Sequence, residues 1–272
     1  MRFEKKESGQ ILLFIVLIMT IALTVGLSLA ARSVSNLRTV AEEKNSEQAF
    51  SAAEAGIEQA LTNNAPVSGS FANNASYQTT LVTLSGTEFL LNGGTVIPKD
   101  TAADVWLSTY PGYTNPVTGS VTLYWGTPSD TCTTSETTNT MAALEVITIS
   151  GTKAAPQTTS YAFDPCQARS SSNHFTYVNS GGGTVSNQPF AYKATVAVTS
   201  GLLMRIIPLY APVTIGIRGC DGAGNNCITL PNQGTLIQSI GTADTTARKI
   251  LSFRGYPKVP LEIFPYLFFS PK

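Results

Sequence analysis

Residues 11–31 read ILLFIVLIMTIALTVGLSLAA, a run without a single charged side chain. As a helix rising about 1.5 Å per residue, this run matches the roughly 30 Å hydrocarbon core of a bilayer. In lipid, a single span satisfies its backbone N–H and C=O groups as a helix. The stretch therefore predicts a transmembrane helix at 11–31 in contact with membrane lipid. Arg2, Lys5 and Lys6 precede it, among Glu4 and Glu7, and Arg32 and Arg38 come after it. With no second apolar run to return the chain, the expected topology is single-pass. The N-terminus lies in the cytoplasm and the remainder outside the cell.

Within the run, Ala22, Gly26 and Ala30 recur every four residues, beside a parallel row of Thr20, Thr24 and Ser28. Small residues at this spacing let helices approach closely in lipid. The same segment also has the basic start and apolar core of a secretory signal, with Ser28-Leu29-Ala30 as a small-residue cleavage site. On that alternative reading the chain is a membrane-anchored or secreted surface adhesin.

The next thirty residues separate the two readings. Residues 32–61, RSVSNLRTVAEEKNSEQAFSAAEAGIEQAL, contain no Pro and one Gly. Phe50, Ala53, Ile57, Ala60 and Leu61 recur at spacings of three and four, which predicts one helical face. Glu42, Glu43, Lys44, Glu47, Glu54 and Glu58 take the others. Asn63-Asn64-Ala65-Pro66 ends the pattern, because Pro cannot continue a helix. The predicted helix occupies 10–64 and is about 80 Å long. Its first half is apolar all round and its second half is amphipathic. A filament subunit needs such a rod, and a secreted domain does not.

A short polar leader at 1–9, ending in Gly9 ahead of a long apolar helix, resembles the leader of type IV pilins and pseudopilins. The stretch Ala49-Phe50-Ser51-Ala52-Ala53-Glu54-Ala55-Gly56-Ile57-Glu58-Gln59-Ala60 is similar to the signature that comes after the span in PilX-type minor pilins. The resemblance covers about the first sixty residues and implies cleavage by a prepilin peptidase between Gly9 and Gln10. It also implies assembly with other pilin subunits and the pilus machinery. The helix-packing set is then Ala22, Gly26, Ala30, Phe50, Ala53, Glu54, Gly56 and Ile57. Two departures bear on the role. Gln10 stands where major pilins have Phe, and Phe14 stands where they have a Glu. A carboxylate at bilayer depth is costly unless paired, so its loss removes both a cost and a docking cue. The resemblance thus implies a minor or assembly-priming subunit rather than the repeating one.

Beyond residue 65 the character changes. Val-, Thr-, Ile- and Tyr-rich segments alternate with Gly, Pro, Asn and Ser clusters. Predicted strands are Tyr77–Leu84, Ser120–Gly126, Ala143–Ser150, Thr158–Phe163, Phe190–Thr199, Met204–Tyr210, Val213–Arg218, Gly234–Gly241 and Ala247–Arg254. The expected fold class is α+β: one long helix, then a predominantly antiparallel β domain over 65–272. A subdomain break is possible near 179–187, where Asn179-Ser180-Gly181-Gly182-Gly183 has linker composition. The C-terminal stretch 255–272 is aromatic but broken by prolines, and is expected to pack as an extended edge segment.

Four cysteines beyond the span make an even set for an oxidising compartment. Of three connectivities, Cys220–Cys227 is favoured because it orders little chain, which leaves Cys132–Cys166. Zinc is disfavoured by the absence of any C-x₂-C spacing. The loop 221–226 between Cys220 and Cys227 lacks the terminal acidic ligand of a calcium loop.

Nothing in the sequence points to catalysis. His174 is the single histidine, in Ser171-Ser172-Asn173-His174-Phe175, and Asp100, Asp104, Asp130 and Asp164 are scattered. The triple glycine lacks the Lys-Ser/Thr of a phosphate loop. No cofactor is expected. Lys plus Arg total 17 and Asp plus Glu total 17, so the zero net charge disfavours nucleic acid as a partner. Trp106, Tyr110, Tyr113, Tyr124 and Trp125 are candidates for stacking on a polysaccharide, with core packing as the ordinary alternative.

Overall fold

A computed structural model describes residues 8–133 and 139–257. Positions 1–7 of the expected leader and most of the expected edge segment, 258–272, lie outside the described residues. In chain order the elements are α1 (Ser8–Asn63), β1 (Ser68–Ser70), β2 (Ala75–Thr83), β3 (Glu88–Leu90), β4 (Ala103–Trp106), β5 (Val117–Trp125), β6 (Ala143–Thr152) and β7 (Ala155–Asp164). Then come α2 (Gln167–Asn173), β8 (Thr176–Tyr177), β9 (Ser180–Val185), β10 (Gln188–Leu209), β11 (Ile215–Arg218), β12 (Gly234–Ala243) and β13 (Thr246–Gly255). The architecture is one long apolar N-terminal helix followed by a mostly antiparallel β region.

The chain divides into two units. One comprises residues up to Thr80 with Gln238–Ile250, and the other Leu81–Ile237 with the residues from Leu251 onward. The helix shares its unit with β1, the first part of β2, the later part of β12 and the first part of β13.

In the helical unit, β1 pairs antiparallel with β2, placing Gly69 opposite Tyr77. The small sheet has the order β1-β2-β12-β13. Its core is Ala49 and Ala52 of α1 with Ala75, Tyr77 and Ala243 of the strands, flanked by Val67. The Tyr77 hydroxyl donates to Gln59 Oε1 on the helix at 2.7 Å, which satisfies a buried polar tip.

The β unit is organised around β10, a 22-residue strand. Its neighbours give the order β3-β11-β5-β10-β6-β7-β8, with β4 and β9 also pairing with β10. The sequence predicts two strands here, 190–199 and 204–210. The structure joins them through irregularities at Val198–Gly201 and Gly201–Leu203. The chain bends there at Ser200, with φ 51°. A Cβ at Gly201 would meet Leu107 Cδ1 at 2.9 Å, so the bulge closes only over a bare backbone. The bend lets β10 exchange partners, from β5 along its first half to β6 and β4 along its second. The core beneath is aliphatic: Leu123, Leu144, Met204, Ile206, Ile215 and Ile217 are all buried, around Trp125.

The segment with linker composition is a strand. β9 pairs with β10 across Ser186 and Asn187, at φ 48° and 67°. Two consecutive positive φ values make the two-residue hairpin turn whose twist matches the strands. A short helix that periodicity does not reveal, α2, begins directly after Cys166.

Candidate functional site

The candidate site is the surface of α1, and its two halves are built differently. From Leu12 to Val40 the large apolar side chains point outward on every side: Leu12, Phe14, Leu17, Met19, Leu23, Leu27, Val34 and Val40 are all at least half exposed. By length and composition this helix can cross a membrane. Its hydroxyls suit that solvent. Thr20 Oγ1 donates to Val16 O and Leu17 O at 3.0 and 2.9 Å, and Thr24 Oγ1 to Ile21 O at 2.9 Å. Both threonine hydroxyls are satisfied inside their own helix, as a lipid environment would require. Ala22, Gly26 and Ala30 are exposed on one face. A Cβ at Gly26 meets nothing within 4 Å, so nothing described in this chain requires glycine there. Gly9 and Gln10 stand in the first turn of α1.

The second half is used by the chain itself. Ala49, Ala52, Ala53, Gly56, Ile57 and Ala60 are buried against the small sheet. Phe50 and Leu61, expected on that face, are 47% and 37% exposed, and Glu54 is exposed as well. The face is rotated from the predicted one because contact depth, not residue size, selects it. Phe50 sits about 100° past Ala49 around the helix, and its ring would hold α1 off the strands. A Cβ at Gly241 of β12 would collide with Ala49 O and Ala53 N, and one at Gly56 would lie 2.9 Å from Tyr77 Cδ2. Helix and sheet thus meet through backbone and methyl groups. Ala53, Gly56 and Ile57 pack within the chain, while Ala22, Gly26, Ala30, Phe50 and Glu54 face outward.

Both disulfides join the cysteines as expected, Cys132 to Cys166 and Cys220 to Cys227. Beside Cys166, Asp164 and Arg169 form a buried pair, with Arg169 Nε and Nη2 donating to the carboxylate at 3.0 and 2.8 Å. Nη2 also donates to Met141 O, and the guanidinium lies 4.1 Å from the centre of the Tyr210 ring. In the Cys220–Cys227 loop, the backbone N–H groups of Asn225 and Ala223 and the Asn226 amide donate to Asp221. These donors, Asn225 foremost, hold its carboxyl below the usual carboxylate range. A carboxylate so occupied serves the turn rather than a cation.

The five candidate aromatics divide in two. Tyr124 and Trp125 are core residues, the Trp125 indole N–H donating to Ala142 O at 3.0 Å. Trp106, also buried, gathers Tyr110 and Tyr113 against its ring. Trp106 meets Tyr110 edge-on at 5.0 Å, and Tyr110 stacks on Tyr256 at 4.4 Å. Tyr256 joins from a segment distant in sequence, which no local signal announces. The remaining titratable candidates are structural or exposed. Asp130 accepts from Thr127 N, Asp104 pairs with Arg205, and His174 is an exposed left-handed residue at the end of α2. Among the described residues, no three His, Cys, Asp or Glu side chains gather as a metal-binding group. Compared with protein-family models, curated proteins and solved structures, the chain matches none.

Proposed function

We propose that this protein is a minor pilin-like or pseudopilin-like structural subunit. Its α1 helix lies in the membrane before assembly and packs among other pilin helices after it. The supporting observation is the single unbroken helix Ser8–Asn63, apolar and outward-facing over its first half and packed onto its own sheet through small residues in its second. A plain anchor needs about twenty residues to cross a bilayer, whereas this helix runs 56 residues. The AAEAGIE stretch gains a physical meaning in this reading: Ala53, Gly56 and Ile57 seat the rod on the small sheet of its own unit. The outward face of Ala22, Gly26 and Ala30 is left for neighbours. A prepilin peptidase would release the leader after Gly9. The role is assembly rather than catalysis, and Phe14 in place of a Glu suits a minor or priming subunit.

Cysteine cross-linking in the native host tests this reading. Gly26→Cys is expected to form cross-links to other pilin subunits, while Ile21→Cys, about 140° away around the helix, gives fewer. Cross-links absent at both positions would favour the permanent anchor of a surface adhesin.

A further inference from the structure

The β unit carries a cleft to which the proposed assembly role assigns no part. Along β4, Ala103 and Val105 point into the aliphatic core, so Asp104 and Trp106 share the opposite face. They line a cavity of about 310 Å³, at the small end of the ~300–1,000 Å³ typical of ligand sites. Arg205 lies directly across the ladder from Asp104. Its Nε and Nη2 donate to the two carboxylate oxygens at 2.8 and 2.9 Å. The Asp104 side chain is 7% exposed and that of Arg205 is fully buried. The carboxylate is thus fixed, and each oxygen keeps a further acceptor site.

The rest of the wall is equally held. Gln233 is 3% exposed and is clamped to the Trp106 backbone, accepting from its N–H at 2.7 Å and donating to its C=O at 2.9 Å. Asn92, in the left-handed conformation at φ 53°, and exposed Thr95 supply an amide and a hydroxyl at the rim. Tyr256, half-buried and stacked on Tyr110, forms the aromatic side.

We propose that this cleft binds an uncharged hexopyranose unit of a polysaccharide. Asp104 is matched by its guanidinium, so the cleft has no net charge to offer an ionic ligand. It offers fixed acceptors, an amide, a hydroxyl and an aromatic surface in one small volume. A pyranose presents the complement: a ring of hydroxyls and a C–H face that packs on an aromatic ring. Preorganised groups of this kind bind without first paying to be ordered.

The test uses the full chain in lipid nanodiscs, since sugar-headed detergents would compete. Glucose, galactose, mannose, N-acetylglucosamine and an oligosaccharide of each are titrated by calorimetry and by tryptophan emission. The chain has two tryptophans; Trp106 lines the cleft and Trp125 does not, so Trp106 is the expected reporter. At least one sugar is expected to saturate with a Kd of about 1 mM or tighter. Thr95→Val and Asn92→Gly, which keeps the backbone conformation, are each expected to weaken that binding about tenfold. Tyr256→Ala removes the stacking side and should weaken it as much. No binding by any probe overturns the proposal, as does binding that all three variants leave unchanged.

Discussion

Gly56 of α1 abuts Ser239 of β12 so closely that a methyl group on the glycine would collide with the Ser239 hydroxyl. Ser239 is fully buried, and its Oγ has no hydrogen-bond partner among the described residues. The pair predicts a coupled mutational effect. Gly56→Ala should destabilise by about 1–3 kcal/mol through overpacking. Ser239→Gly should relieve much of that loss, with a coupling of about 0.5–3 kcal/mol. Thermal unfolding of the two single variants and the double variant measures it. Additive effects would show that the contact does not limit the approach of α1.

The buried Asp164–Arg169 pair makes a second prediction. Asp164→Ala leaves a guanidinium, 10% exposed in its side chain, without its carboxylate. It also strips the acceptor from Cys166 N and Asn173 Nδ2. The expected cost is about 3–5 kcal/mol. Replacing both Asp164 and Arg169 with apolar residues should cost less than Asp164→Ala alone, as read from urea midpoints.

The two disulfides should differ in weight. Cys132–Cys166 spans 34 residues and Cys220–Cys227 spans 7. If loop-closure entropy dominates, removing the first by paired Cys→Ala changes costs about 4 kcal/mol and removing the second about 2 kcal/mol. Denaturant unfolding of the two paired variants under oxidising conditions gives the order. An inverted order would point to local packing around Cys220–Cys227 rather than to chain entropy.

Acid should weaken one specific link. Glu88 of β3 faces Arg218 of β11, whose hydrogen bonds hold the Glu88 carboxyl below its ordinary 4.5. A depressed carboxyl stabilises the fold above its unfolded pKa, and that contribution is lost as pH falls through the folded value. The pair is partly exposed, so its worth is under about 1 kcal/mol. Glu88→Gln should therefore lower the urea midpoint slightly at about pH 7 and by less at about pH 3. An equal effect at both pH values would refute an ionic origin.

The parts of this molecule that can be read from sequence are those carried by local periodicity. The apolar run 11–31 and the alternating segments around Val121, Val146 and Ile237 become helix and strands because neighbouring residues alone set their pattern. The pairing of Cys220 with Cys227 is legible for the same reason, being only 7 residues apart. The rotation of the α1 face is not legible, because it depends on Gly241 and Ser239, which arrive nearly two hundred residues later. Glycines 181–183 look like a linker until β10 is there to pair with them. The cleft is the least legible feature. Asp104 and Arg205 are 101 positions apart and meet through the β4–β10 register, while Tyr256 comes from beyond β13.

The most direct test of the central proposal is the N-terminus of the mature protein, determined by mass spectrometry after expression in the native host. A chain beginning at Gln10, with an N-methylated amine, is the predicted result. A chain beginning at Ala31, or one retaining Met1, would contradict prepilin processing and with it the assignment of α1 to a pilus-type assembly.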